Sequence, residues 1–247
     1  NGILTPADTD GIDLHWGNAE GIVAMTEKLA KREGLGDILA DGVKVASEKI
    51  GKGSEEFAIH IHGQEVPMHD PKRWAGFGTI YQTDATPGRH TQGHEGWVAP
   101  GLPMPPFDHR AYAGRGAAHR VARVMMHSVN AAGVCMFGYN CMNARALPDV
   151  FSAVTGWQYD LKELLTAGER IACVRQLFDV REGINPINLA VPGRVIGRPP
   201  QTDGPVKDRM VDLETMAREF YQAMSWDLKT GKPSSERLKE LGLVGFA

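Results

Sequence analysis

Only one short stretch of this sequence, Phe57-Ala58-Ile59-His60-Ile61-His62, alternates apolar and polar residues with a period of two. Such a stretch reads as a brief strand or extended segment. Elsewhere the apolar residues recur at helical spacing. Ile22, Met25 and Leu29 share a face opposite Glu20, Lys28 and Lys31, and Gly34 and Gly36 stop this first helix. A second helix, carrying Ile38, Leu39, Val43, Val45 and Ile50, ends at Gly51 and Gly53. Further helices are predicted over residues 109–129, 147–154, 161–180, 213–224 and 235–241, with an interruption at 130–140. Arg110, Arg115, Arg120 and Arg123 on the first of these read as a solvated or interdomain face. Residues 64–107 hold seven of the fifteen prolines and are predicted to be loop-rich. A loop region of that length inside a folded protein is usually functional. The expected class is mainly α: multihelical, with a long Gly/Pro-rich loop region.

The 247 residues suffice for one large domain or two modest ones. A net charge of −3, with no run of cations interleaved with aromatics, predicts no nucleic-acid partner. No stretch approaches the roughly 20 apolar residues of a membrane span. Three scattered cysteines, Cys135, Cys141 and Cys173, make no disulfide framework, which favours a reducing, cytoplasmic compartment. Asn1-Gly2-Ile3-Leu4 reads like the exit from a preceding helix, so the chain is expected to be the carboxy-terminal part of something longer.

Two hexapeptides echo one another. Asp8-Thr9-Asp10-Gly11-Ile12-Asp13 has the form acid–x–x–Gly–aliphatic–acid, and Asn130-Ala131-Ala132-Gly133-Val134-Cys135 the form amide–x–x–Gly–aliphatic–Cys. Side by side they resemble the paired Asp-x-x-Gly-Leu-Asp and Asp-x-x-Gly-Leu-Cys motifs of the tungsten-pterin aldehyde ferredoxin oxidoreductase family. Asn130 stands where that family usually carries Asp. Other segments agree in order and spacing, among them Gly63-Gln64-Glu65-Val66-Pro67-Met68-His69-Asp70-Pro71-Lys72, Thr86-Pro87-Gly88-Arg89-His90, Gly168-Glu169-Arg170 and Phe178-Asp179-Val180-Arg181-Glu182-Gly183.

The resemblance implies two pseudo-repeat helical domains: residues 1–66 as the end of the second family domain (the first repeat, incomplete) and 67–247 as the third. It implies oxidation of aldehydes to carboxylic acids at a tungsten (or molybdenum) bis-pterin beside a 4Fe-4S cluster, with a ferredoxin-like electron acceptor. Asp8, Ile12 and Asp13 would hold one pterin, and Asn130, Val134 and Cys135 the other, with Cys135 also a cluster ligand. His90 would move a proton at the substrate carbonyl, and Arg89 would orient an anionic product. The family's other three cluster cysteines, its amino-terminal β-rich domain and its acidic residue near the metal have no counterpart here. The chain by itself is therefore expected to bind no cofactor, to be inactive, to keep Cys135 as a free thiol, and to self-associate as a homo-oligomer through uncovered apolar surface.

Read from the residues alone, Asp8, Asp13 and Asn130 are turn and cap formers, and Cys135 is a small core residue. Cys141 and Cys173 are assigned to the core, and His60 and His62 to structural roles. Two alternatives follow: a cofactor-free helical interaction module, and a metalloprotein built on His90 and His94.

Overall fold

The computed structural model describes residues 1–246. The chain is mainly helical, as expected, and divides into two compact units, Asn1–Val66 and Pro67–Ala247.

In the first unit, α1 (Ala19–Lys31) begins where the Asn18 side chain accepts from the Gly21 N–H at 3.2 Å. It ends at Arg32, in the left-handed region with φ 53°. The predicted second helix is two: α2 (Leu35–Leu39) and α3 (Val43–Ile50). They are parted at Gly42, whose φ of 86° no continuous helix can contain. Gly36 allows α2 to reach α1, since a Cβ there would lie 2.3 Å from the Lys28 carbonyl carbon. The alternating stretch contains β1 (His60–Ile61), paired antiparallel with β2 (Gln64–Glu65) in the register His60 to Glu65. Met25, Leu35, Ala46 and Ile61 fill the small core.

The second unit is built on α5 (Gly116–Ala131), against which α8 (Leu161–Arg181) and α9 (Leu213–Met224) pack. The α5–α8 approach is closest at Gly168, where a Cβ would fall 1.7 Å from the Val124 carbonyl oxygen. Asp160, Asp212 and Ser234 cap α8, α9 and α10 (Ser235–Glu240) by accepting from backbone N–H groups at 2.7, 3.1 and 3.1 Å. One apolar cluster joins Val124, Cys173, Phe220, Met224, Trp226 and Leu238. A second joins Leu102, Met125, Val129, Tyr139, Leu147 and Leu164, between α5, α8, α6 (Met136–Cys141) and α7 (Ala146–Thr155).

The region read as loop contains α4 (Gly76–Thr83), Gly-Phe-Gly-Thr-Ile-Tyr-Gln-Thr, in which only Gln82 is not fully buried. A short helix buried nearly all round shows no amphipathic period, and its two glycines imitate a turn. Residues 136–141, read as part of an interruption, form α6. Cys141 is exposed rather than core, whereas Cys173 is buried.

Candidate functional site

The first hexapeptide is a turn in which Asp10 and Gly11 take φ values of 54° and 77°. Asp8 Oδ2 accepts from the Thr5 N–H at 2.8 Å and the Thr5 hydroxyl at 2.7 Å, and these bonds lower its pKa. Asp13 accepts from the His15 backbone N–H at 3.2 Å and the ring Nδ1 at 2.8 Å, which lowers its pKa too. Both carboxylates are ionised at neutral pH, and each has about four acceptor positions, so both keep lone pairs open to a further donor. Ile12 is half-buried between them, and Leu14 and Trp16 stand exposed just beyond.

The second hexapeptide joins two helices. Asn130 lies in the last turn of α5, Gly133 takes a φ of 69°, Val134 packs on the second apolar cluster, and Cys135 is the N-cap of α6. The Cys135 thiol is exposed, and the backbone N–H groups of Gly138 and Phe137 lower its pKa. Helix N-termini favour thiolates in this way. Asn130 Nδ2 donates to the Thr91 carbonyl and to Gln92 Oε1, both at 3.2 Å. An aspartate could make neither bond without a donor, and Asn130 Oδ1 stays available as an acceptor.

Those two bonds lead to the segment carrying Arg89 and His90, which α5 holds along its length. Arg115, His119, Arg123 and His127 recur every four residues on one face of α5, and all four are buried. This corrects, for Arg115 and Arg123, the reading of the α5 arginines as a solvated or interdomain face: both are buried inside the second unit. Glu95 takes Arg115 Nη1 at 2.5 Å and His119 Nδ1 at 2.9 Å. Arg123 donates to His119 Nε2 at 3.2 Å, so that nitrogen accepts and the proton sits on Nδ1: His119 is neutral. Arg123 also reaches the Thr83 hydroxyl at 2.9 Å and Asp84 at 3.4 Å, and its guanidinium lies 4.4 Å from the Phe220 ring centroid. From α8, Arg175 bridges Asp84 Oδ1 at 2.9 Å and the Thr86 hydroxyl at 2.7 Å. Gly93 runs so close to α5 that a Cβ would lie 2.4 Å from the Ala122 carbonyl oxygen. Arg120, half-buried, pairs instead with the buried Glu169, as does Arg237.

Asp84 and Glu95 thus anchor the two ends of a segment with Arg89 exposed and His90 half-buried at its middle. The His90 ring packs on His69 with centroids 4.9 Å apart, and His69 stacks on Phe77 at 4.8 Å. Burial first, then the neighbouring His69 and Arg89, lower the His90 pKa, which favours a neutral imidazole at pH 7. His94 packs on Phe77 at 4.5 Å, and its Nδ1 accepts from the Gly96 N–H at 2.9 Å. Among the described residues no group of three or more His, Cys, Asp or Glu, with His90 and His94 or without them, could hold a metal ion. The metalloprotein alternative therefore lacks a ligand set.

The family model for aldehyde ferredoxin oxidoreductase, domains 2 and 3, matches residues 1–243. The chain belongs to this family. It is 31% identical to the tungsten-containing aldehyde ferredoxin oxidoreductase of Pyrococcus abyssi, over 99% of this chain and 40% of that protein. It is 29% identical to the enzyme of the same description from Thermococcus kodakarensis, over 96% of the chain and 39% of that protein. Identity is 24% to the aliphatic sulfonate oxidoreductase, WOR-like subunit, of Pyrococcus furiosus, over 98% and 37%. Among solved structures, the active-site complex BamBC of benzoyl coenzyme A reductase with 1,5-dienoyl-CoA shares the fold, with a TM-score of 0.67 at 21% identity over 99% of this chain and 42% of that one. The chain spans about 40% of the length of the curated relatives it matches. No helix among the described residues is long and apolar enough to cross a membrane.

The residues fit the groups the family name implies, in part. A pterin presents N–H donors, and the exposed Asp13 carboxylate, the half-buried Asp8 carboxylate (which also pairs with Lys52) and the Asn130 amide oxygen are acceptors. A 4Fe-4S cluster needs four ligands, and this chain offers one exposed, acidified thiol in a motif position, Cys135.

Proposed function

We propose that this chain is the helical, carboxy-terminal part of a pterin-dependent tungsten or molybdenum oxidoreductase that oxidises aldehydes to carboxylic acids and passes electrons to a ferredoxin-like acceptor. Its two units would be the end of the second family domain and the whole third. The observation that carries this reading is the pair of matching turns, each ending beside a helix with its acceptors or thiol open to solvent. Asp8, Ile12 and Asp13 would hold one pterin, Asn130, Val134 and Cys135 the other. Cys135 would add one cluster ligand, the remaining three coming from outside residues 1–247.

The bound metal–pterin would supply oxygen transfer and accept two electrons, and the cluster would relay them singly. His90, neutral at pH 7, would take up a proton released as the aldehyde becomes a carboxylate. Arg89, exposed beside it, would attract the anionic product through its guanidinium fork. The anchored ends of the 84–95 segment keep His90 in one place, since α5 and α8 are rigid and packed.

The test is aldehyde-dependent reduction of a viologen dye by the complete enzyme that contains this chain. Arg89→Gln and His90→Gln should lower kcat/KM, with the metal content measured alongside. Cys135→Ser should abolish the cluster's EPR signal. Full cluster and activity in the Cys135 variant would overturn the assignment.

A further inference from the structure

A cavity of about 320 Å³ opens beside the aromatic stack, lined by Arg73, Trp74, Ala75, His94, His109 and Arg115. Its size lies at the small end of the range for small-molecule sites. Its polar groups are donors in excess. Arg115 is 5% exposed and spends Nε on the Ala111 carbonyl, Nη1 on Glu95 and Nη2 on the His109 carbonyl, which leaves two of its five N–H groups unassigned. His94, also 5% exposed, accepts at Nδ1 and so carries its proton on Nε2, near the Trp74 carbonyl but without a hydrogen bond. Buried polar groups in native proteins rarely stay unpaired. At the mouth, Arg73 pairs with no carboxylate among the described residues, and its guanidinium lies 5.9 Å from the Trp74 ring centroid. Glu95 is the one acid bound to this set, and its two oxygens are divided between Arg115 and His119.

We infer that this cavity binds an organic monocarboxylate with a flat apolar body. The carboxylate would meet Arg73 and the spare N–H groups of Arg115, and the body would lie against Trp74. The inference rests on donor count and on the size and lining of the cavity, not on the proposed oxidoreductase activity, and its test needs no cofactor.

The purified chain is titrated with 3-phenylpropanoate and, separately, with its neutral isostere 3-phenylpropan-1-ol, by calorimetry and by following the tryptophan indole N–H resonances. The Trp74 resonance is assigned by its loss in Trp74→Phe. The acid should bind saturably at millimolar concentration or below, on the order expected for a ligand of this size, and shift Trp74 rather than Trp226. Arg73→Gln, at an exposed position, should weaken binding by about tenfold or more with the unfolding midpoint measured alongside. Equal binding of acid and alcohol would overturn the inference. So would undiminished binding in Arg73→Gln, or no saturable binding up to about 20 mM.

Discussion

Lowering the pH from 7 to 5 should destabilise the second unit before Asp84 or Glu95 in its network is protonated. Burial depresses the pKa of His94 to about 4 and of His127 to about 3, and lowers that of His119. A histidine with a depressed folded pKa takes up its proton only on unfolding. Its contribution is complete above the unfolded value near 6.5 and is lost as the pH falls towards the folded value. At pH 5 the loss is about 2 kcal/mol each for His94 and His127. Asp179 acts in the opposite sense, because burial raises its pKa to about 6 and it gains its proton in the folded state on the way down. Its return, discounted for partial solvation, is about 1 kcal/mol. The net loss is therefore roughly 3 kcal/mol before His119 is added. Asp84, held low by Arg123 and Arg175, and Glu95, held low first by its hydrogen bond from His119, add nothing until the pH falls below about 4.5. Urea denaturation followed by circular dichroism at pH 7, 6 and 5 measures this directly. A stability that is flat or rising from pH 7 to 5 would refute the assignment of these histidines as buried and neutral.

Gly168→Ala should cost about 3 kcal/mol or more, read from the urea midpoint, because α5 and α8 must separate to admit a methyl group 1.7 Å from the Val124 oxygen. In native chain, Cys135 and Cys141 should react with an aromatic disulfide while Cys173 reacts only on unfolding, with Cys135 the faster below pH 8. Asn130→Asp should lose both bonds to residues 91–92 and place a carboxylate against the Thr91 carbonyl, which lowers stability by about 1–2 kcal/mol in the same unfolding assay.

The sequence made α9 legible to the residue, because residues 213–224 carry one clean apolar stripe behind a capping Asp212. It missed the break between α2 and α3 because a single Gly42 resembles a tolerated helix glycine until its positive φ is known. Cys141 looked like core because cysteine usually is, yet α6 turns it to solvent. The hexapeptides and His90 were legible through resemblance, but what holds His90 was not. Asp84 and Glu95 sit in irregular chain, where no period says which way a side chain points. One signal was present: Arg115, His119, Arg123 and His127 at intervals of four put four polar side chains on one face of a predicted helix. Such a stripe is either solvated or a buried seam awaiting carboxylates, and Ala118, Ala122 and Val129 near it leave both readings open.

That seam has a direct mechanical consequence. α5 meets the His90 segment at four places: Arg123 at Asp84, Asn130 at Thr91, the Ala122 backbone at Gly93, and Arg115 with His119 at Glu95. The segment itself has little regular hydrogen bonding: the Asp84 N–H to the Ile80 carbonyl at 3.2 Å, the Gly88 N–H to the Tyr81 carbonyl at 2.9 Å, and the Trp97 N–H to the His94 carbonyl at 2.9 Å. Its order is therefore borrowed from α5 through charge. Glu95→Gln should expose the dependence, because it leaves Arg115 buried without its counter-ion, a loss of about 3–5 kcal/mol for a broken buried pair. The loss should be local first. Amide exchange should quicken across residues 85–97 while α9, capped by Asp212 and packed through Phe220 and Met224 on Val124 and Cys173, keeps its protection. If Glu95→Gln instead lowered protection uniformly along α5, α8 and α9, the carboxylate would be supporting the whole core, and the segment would not owe its order to this ion pair.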